Sequence, residues 1–273
     1  MFFDHRIEIK SPEQVRAMRA AGLLVGQTLG VLRDAVRAGV TPAELNALAE
    51  ETIRAGGGTP SFLGYGHPPF PATICASVND EVVHGIPGDR PLVDGDIISI
   101  DCGAIVAGWH GDAAITVAVG DVRPEVAELM QVTEESLWRG LAAASVGGRV
   151  GDISHAVESH VRSRGAYGIV SGYTGHGIGS EMHMDPDVPN EGRAGRGPRL
   201  KQGMALAVEP MITLGGPRTD LADDEWTVVT SDGSWAAHFE HTFALTDTGV
   251  WVLTAEDGGR ERLEALGVPY GGE

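Results

Sequence analysis

Cysteine is nearly missing: only Cys75 and Cys102 occur in 273 residues, with no CxxC spacing. That excludes a disulfide framework and makes a reducing, cytoplasmic setting the expectation. Basic residues are also scarce, 20 Lys and Arg against 38 Asp and Glu, for a formal net charge of −18. The acids are scattered, which argues against DNA and other broad nucleic-acid binding and suits an ordinary water-facing surface. No apolar run approaches the roughly 20 residues that cross a bilayer, so no membrane association is expected. The opening "MFFDHRIEIK" has neither the basic start nor the unbroken apolar stretch of a signal peptide. What is present is a chain that is 42% hydrophobic, enough to bury a substantial core as one large domain or two modest ones.

Helix signals come in pairs. "SPEQVRAMRAAGLLVGQTLGVLRDAVRAG" places Ser11 as N-cap and Pro12 at the first helical position. Its Val15, Met18, Gly22, Val25, Leu29, Leu32 and Val36 recur in steps of three and four, so one amphipathic helix should end near Gly39. "TPAELNALAEETIRAGGG" follows, with Thr41 and Glu44 in capping-box spacing and glycines at the stop. From Gly56 to Pro91 the chain is rich in Gly and Pro, and "ATICASV" and "EVVHGI" read as brief strands. A second pair begins after Pro124 and, capped by Asp152, in "GDISHAVESHVRSRG"; strand-like segments then continue to about Leu253.

The strand regions repeat as well. "GDIISID" puts Gly95 six residues before Asp101, and "GMALAVE" puts Gly203 six before Glu209; "HGD" sets His110 two before Asp112, and "HFE" sets His238 two before Glu240. A duplicated helix-pair and strand unit is the implied architecture, an α+β fold whose two pseudo-symmetric halves bring four carboxylates over one cleft. Acids inside apolar strands are costly unless cations surround them, and two divalent metals are the simplest answer. "GYTGHGIGSEMHMDP" adds His176 between glycines and His183 seven residues on, and "VVHGIP" adds His84. One imidazole can complete a metal shell while others hydrogen-bond a reacting carbonyl or amide.

Five motifs in order, "VVHGIP", "DCGAIVAGWHGD", "GHGIG" with its trailing His183, "VEPM" and "FEHT", make the chain resemble the type I methionine aminopeptidases, metallopeptidases of the pita-bread fold, from about Ile9 to Leu253. The resemblance implies a curved antiparallel sheet around a dinuclear metal cleft. It also implies five ligands, Asp101, Asp112, His176, Glu209 and Glu240, with Asp112 and Glu240 bridging two Co, Mn, Fe or Zn ions. The implied reaction removes the initiator methionine of nascent polypeptides when the second residue is small, a metal-bridging hydroxide attacking the first peptide carbonyl. Glu209 would shuttle the proton, His183 would stabilise the tetrahedral intermediate and His84 would contact the scissile amide nitrogen. A methionine pocket of Tyr65, Phe70, Cys75, Met182, Trp226 and His84 is carried over in the same way, an apolar, aromatic wall suited to a thioether. The chain departs from the family at Ala113, where Ser or Thr is frequent and a hydrogen bond behind the metal would be lost, and at Met182 and Met184 on either side of His183.

Other features read more plainly. His110 and His238 mirror each other and are expected behind the ligands or in structural roles; Cys102 should face away from the site, and Trp109 and Trp138 should serve packing. "EGRAGRGPRLKQG" gathers Arg193, Arg196, Arg199 and Lys201 in what reads as a solvated loop, a transient ribosome contact through ribosomal RNA being the alternative. Residues 1–258 are expected to form the single catalytic domain of a monomer and 259–273 its C-terminal tail, the segment after Leu253 reading as a mobile terminus. Xaa-Pro peptidases usually carry a large N-terminal domain, whereas here about nine residues precede the first helix. Type II methionine aminopeptidases carry a helical insertion, whereas His176 and Glu209 are only 33 apart. A binding module that has lost its metals has no reason to keep every ligand.

Overall fold

A computed structural model describes residues 7–273, so the opening residues 1–6, part of the segment read above for a signal peptide, lie outside the description. The first half runs α1 (Pro12–Ala35), α2 (Pro42–Ala55), β1 (Thr59–Pro60), β2 (Ile74–Val78), β3 (Glu81–Val83), β4 (Ile97–Val106) and β5 (Trp109–Ala118). The second half opens on α3 (Pro124–Ala143) and α4 (Val150–Arg164), followed by β6 (Gly168–Ile169), β7 (Gly175–Gly177), β8 (Met184–Val188), β9 (Ala205–Val208) and β10 (Met211–Thr213). It closes with β11 (Thr219–Leu221), β12 (Val228–Thr230), β13 (Ala236–His238), β14 (Glu240–Leu245), β15 (Val250–Val252) and α5 (Arg260–Ala265).

The helix starts follow from local chemistry. Ser11 and Gln14 form a reciprocal capping box on α1, and Thr41 with Glu44 does the same on α2. Asp152 does not cap α4 from outside as expected: the helix begins at Val150, and Asp152 sits inside its first turn. From there its carboxylate accepts the Arg149 N–H at 2.7 Å and the Gly195 N–H at 2.6 Å, which is the return bond of a capping box and not its first half.

The main sheet is antiparallel, in the order β1-β4-β5-β14-β9-β7-β8, with β2 also on β4 and β15 also on β14. The β4–β5 hairpin turns through Ala107 and Gly108, both at positive φ (50° and 82°), the conformation that a tight two-residue connection requires. The β5–β14 seam joins the two halves, so β4–β5 and β9–β14 are counterparts across it, as the repeated sequence implied. On one face, Leu24, Val25 and Leu29 of α1 and Leu45 of α2 pack against Ile98, Ile100 and Cys102 of β4. On the equivalent face of the other half, Leu137 and Leu141 of α3 and Ile153 and Val157 of α4 pack against Leu206, Val208 and Phe243. At roughly 25 cal/mol per Å² of apolar area, these two layers are the main source of stability. Cys102 therefore faces the helices, as alternation requires, and so does Ala113. That corrects the expectation for Ala113: a hydroxyl there would point into the helix layer and away from the acids.

The C-terminal segment is also part of the packed domain and not a free tail. Leu263 is completely buried in the second helix layer, Arg262 reaches Glu135 at 2.8 Å, and Tyr270 bridges to Val250. Trp138 packs in the same layer and Trp109 against a smaller apolar cluster under α1.

Candidate active site

Strand register alone gathers the acids. Asp101 lies opposite Ala114 and Asp112 opposite Gly103, so both aspartates share one face of the hairpin. Glu240 is also opposite Ala114, from β14, and joins that face; Glu209 follows β9, one residue beyond the His241–Val208 pair. Gly177 of β7 pairs with Leu206, which sets His176 beside the same surface. Its neighbours must be glycines: a Cβ on Gly175 would strike the Ala207 carbonyl, and one on Gly177 the Asp185 carbonyl.

Asp101, Asp112, His176 and Glu240 are buried, and Glu209 is nearly so. Ligand atoms of Asp112, His176 and Glu240 all lie within 4.8 Å of one another, and His176 Nε2 is 3.7 Å from Glu209 Oε1. His176 is oriented by its other nitrogen: Nδ1–H donates to the Gly177 carbonyl at 2.9 Å, leaving the Nε2 lone pair aimed at the acids. Asp112 is fixed through its backbone, since Thr242 Oγ1 donates to its carbonyl at 2.7 Å and accepts its N–H at 3.2 Å. Asn190 Nδ2 holds the Glu209 carbonyl at 3.0 Å.

This arrangement is electrostatically incomplete as a set of side chains. Asp101 Oδ1, Asp112 Oδ1 and Glu240 Oε1 are buried without hydrogen-bond partners. Burial raises all four carboxyls above their ordinary range, and repulsion from their neighbours pushes Asp112, Glu209 and Glu240 further. No Lys or Arg pairs with any of them among the described residues. Orphaned carboxylate oxygens facing a neutral imidazole are the donor set of a hard or borderline divalent cation, so the residues fit the metals that the carboxylate pattern called for.

The acids form the floor of a cavity of about 320 Å³. Every residue carried over for the methionine pocket lines it: Tyr65, Phe70, Cys75, His84, Met182 and Trp226. Phe70, Cys75 and Met182 are packed as one buried cluster, with Phe70 edge-on to Trp226 at 5.1 Å between centroids. His84 sits at φ 60° in the left-handed region, a strained place for a side-chain-bearing residue, and presents its ring between Trp226 and Tyr173. Burial, with His183 nearby, pulls its pKa down to about 4, so its imidazole is neutral at pH 7. The His183 ring stands 4.4 Å from His176, and Tyr65 Oη bonds its Nδ1 at 2.7 Å.

Phe62, Tyr173 and Asp187 also line the cavity and were not foreseen. Tyr173 lies two positions before the first glycine of "GHGIG" and Asp187 follows His183 by four, so nearness to a motif was their only signal. The mirrored histidines part company here. His110 Nδ1 meets Ser61 Oγ at 3.2 Å, whereas His238 is buried with its Nε2 3.9 Å from Glu209 Oε2.

Known proteins of similar sequence and fold identify the family. The profile of metallopeptidase family M24 matches residues 16–247. The methionine aminopeptidase of Clostridium acetobutylicum is 52% identical over 249 residues, 91% of this chain and 98% of that relative. Methionine aminopeptidase 1 of Mycobacterium tuberculosis is 51% identical over 251 residues, 90% of this chain and 94% of its own. The crystal structure of the methionine aminopeptidase from Rickettsia prowazekii superposes with a TM-score of 0.89 at 41% identity, covering 92% of this chain and all of that one. The prolidase from Pyrococcus furiosus, 21% identical with a TM-score of 0.74, covers 92% of this chain and 66% of its own and shares the fold alone. The chain therefore belongs to metallopeptidase family M24, within its methionine aminopeptidase branch.

Proposed function

We propose that this protein hydrolyses the bond after an N-terminal methionine when the second residue is small, and that Asp101, Asp112, His176, Glu209 and Glu240 would hold the two divalent cations that the reaction uses. The observation that carries this reading is the set of partnerless buried carboxylate oxygens directly beneath an apolar, aromatic pocket. Bound cations lower the pKa of water and polarise a carbonyl oxygen.

The side chains account for the rest. The Phe70, Cys75, Met182 and Trp226 wall takes the unbranched thioether, with Tyr65 at its rim, and so sets the first peptide bond over the acids. Glu209 would accept the proton of the attacking water and return it to the leaving amine, a role open to a carboxylate at the edge of the acid cluster that lines the cavity. Where Tyr65 donates its hydroxyl proton to His183 Nδ1, His183 keeps the Nε2–H form, which can donate to the carbonyl oxygen as it gains charge. Neutral His84 hydrogen-bonds the scissile amide nitrogen.

The division of roles is tested by two variants. His183→Ala should lower turnover and leave metal content nearly intact, while Asp112→Ala should lose metal; equal metal loss in both contradicts the assignment. Among the described residues no helix is long and apolar enough to cross a membrane. A cytoplasmic monomer acting on nascent chains completes the proposal.

A further inference from the structure

Of the mirrored histidines, only His238 faces the acids at close range. It is 1% exposed, and its Nε2 is buried without a hydrogen-bond partner. The backbone around it is held from two sides. Its N–H donates to Thr116 Oγ1 at 2.9 Å, Thr116 Oγ1 donates to its carbonyl at 2.8 Å, and Ser99 lies 2.9 Å from the same Thr116 hydroxyl. Pairing with Met211 across β10 and β13 fixes the other side. The backbone is thus held where it carries the ring toward Glu209, and a buried nitrogen left without a partner is costly.

At 3.9 Å from Glu209 Oε2, His238 Nε2 is poised for a hydrogen bond that is not yet made. Glu209 meets His176 through Oε1, so its two oxygens face two different imidazoles. The carboxylate can only accept, which requires His238 to carry its proton on Nε2. We infer that His238 is a positioning residue: it donates Nε2–H to Glu209 Oε2 and so orients Glu209 Oε1 toward the metal site. This rests on Glu209 being a metal ligand, and the test separates the two claims.

Co²⁺ alone is titrated into the chelated full-length protein by calorimetry, with the visible absorption of bound Co²⁺ recorded in parallel. The proteins are the wild type, Glu209→Ala, His238→Leu and His238→Gln. Leu fills similar space with no donor, whereas Gln keeps an N–H of similar reach. Loss of a partner behind a ligand typically weakens metal affinity about 10- to 100-fold, so His238→Leu should fall in that range with an altered absorption band, while His238→Gln should stay within about 3-fold of wild type. Thermal melts of the metal-free proteins check folding. If His238→Leu binds Co²⁺ like the wild type while Glu209→Ala does not, the positioning role is wrong and the ligand stands. If Glu209→Ala also binds like the wild type, both fall. If Leu and Gln lose affinity equally, donation is not what His238 contributes and the inference is overturned.

Discussion

Tyr65→Phe removes one oxygen atom from the cavity rim and leaves the ring in place. The hydroxyl lies 2.7 Å from His183 Nδ1, and the two rings meet edge-on with centroids 5.2 Å apart. The phenylalanine ring would keep that contact and the pocket wall, so only the constraint on the imidazole is lost. A net hydrogen bond is worth about 0.5–1.5 kcal/mol. Tyr65 is 41% exposed, so water can partly replace the hydroxyl, and the lower half of that range applies. That corresponds to roughly a 2- to 5-fold loss of rate. If the bond holds His183 in the form that donates to the developing oxyanion, the loss falls on kcat and kcat/KM alike while KM stays put. Steady-state kinetics on Met-Ala-Ser with the metal-loaded enzyme would show it. A raised KM with unchanged kcat would mean that Tyr65 only shapes the pocket, and the reasoning about His183 would be refuted.

Three further outcomes follow from the same structure. The site carboxyls of the metal-free protein titrate above their ordinary range because they are buried, with Asp101 pushed up to about 7. The folded state thus holds these carboxyl protons more tightly than the unfolded chain, so their contribution to stability is full below about pH 4 and is lost as pH rises toward 7. The buried imidazoles of His84, His176, His238 and His241, lowered by burial, act in the opposite sense. In melts of chelated protein Asp101→Asn should therefore gain on the wild type as pH rises from about 4 to 7, and added metal should stabilise the wild type. Leu263→Ala should cost about 2–5 kcal/mol in a denaturant melt, as for any large buried aliphatic, and a cost near zero would contradict the docking of α5 on the core. Arg193, Arg196, Arg199 and Lys201 are all exposed, and as a solvated loop their charge reversal should leave ribosome cosedimentation unchanged; a salt-dependent loss would assign them to RNA docking instead.

The long elements were legible because their signals are redundant. In α1 and α2 a cap, a proline at the first position and an apolar stripe all agree, and in β4–β5 alternation over ten-residue strands fixes which face each side chain takes. The same alternation, followed one residue further, assigns Ala113 to the helix side; the family resemblance pointed the other way, and the register decides it. The short strands β6, β7 and β10 to β13 have two or three residues each, too few for any period, and they form only because neighbouring chain supplies their partners. Depth was not readable either. His110 and His238 occupy equivalent places in the repeat, yet one meets a serine and the other faces the Glu209 carboxyl, a difference set by packing around the sheet. The tail looked free because its few apolar residues, Leu263 and Leu266 among them, make a stripe too short to recognise without the groove that receives it.

The most direct measurement is methionine release from Met-Ala-Ser and Met-Gly-Met-Met by chelated protein before and after adding back Mn, Fe, Co or Zn, with Ala-Pro peptides as controls. The account predicts no release after chelation, recovery with at least one divalent metal, and no cleavage of the proline peptides. Cleavage of Ala-Pro in place of the methionine peptides, or methionine release that chelation does not touch, would contradict it.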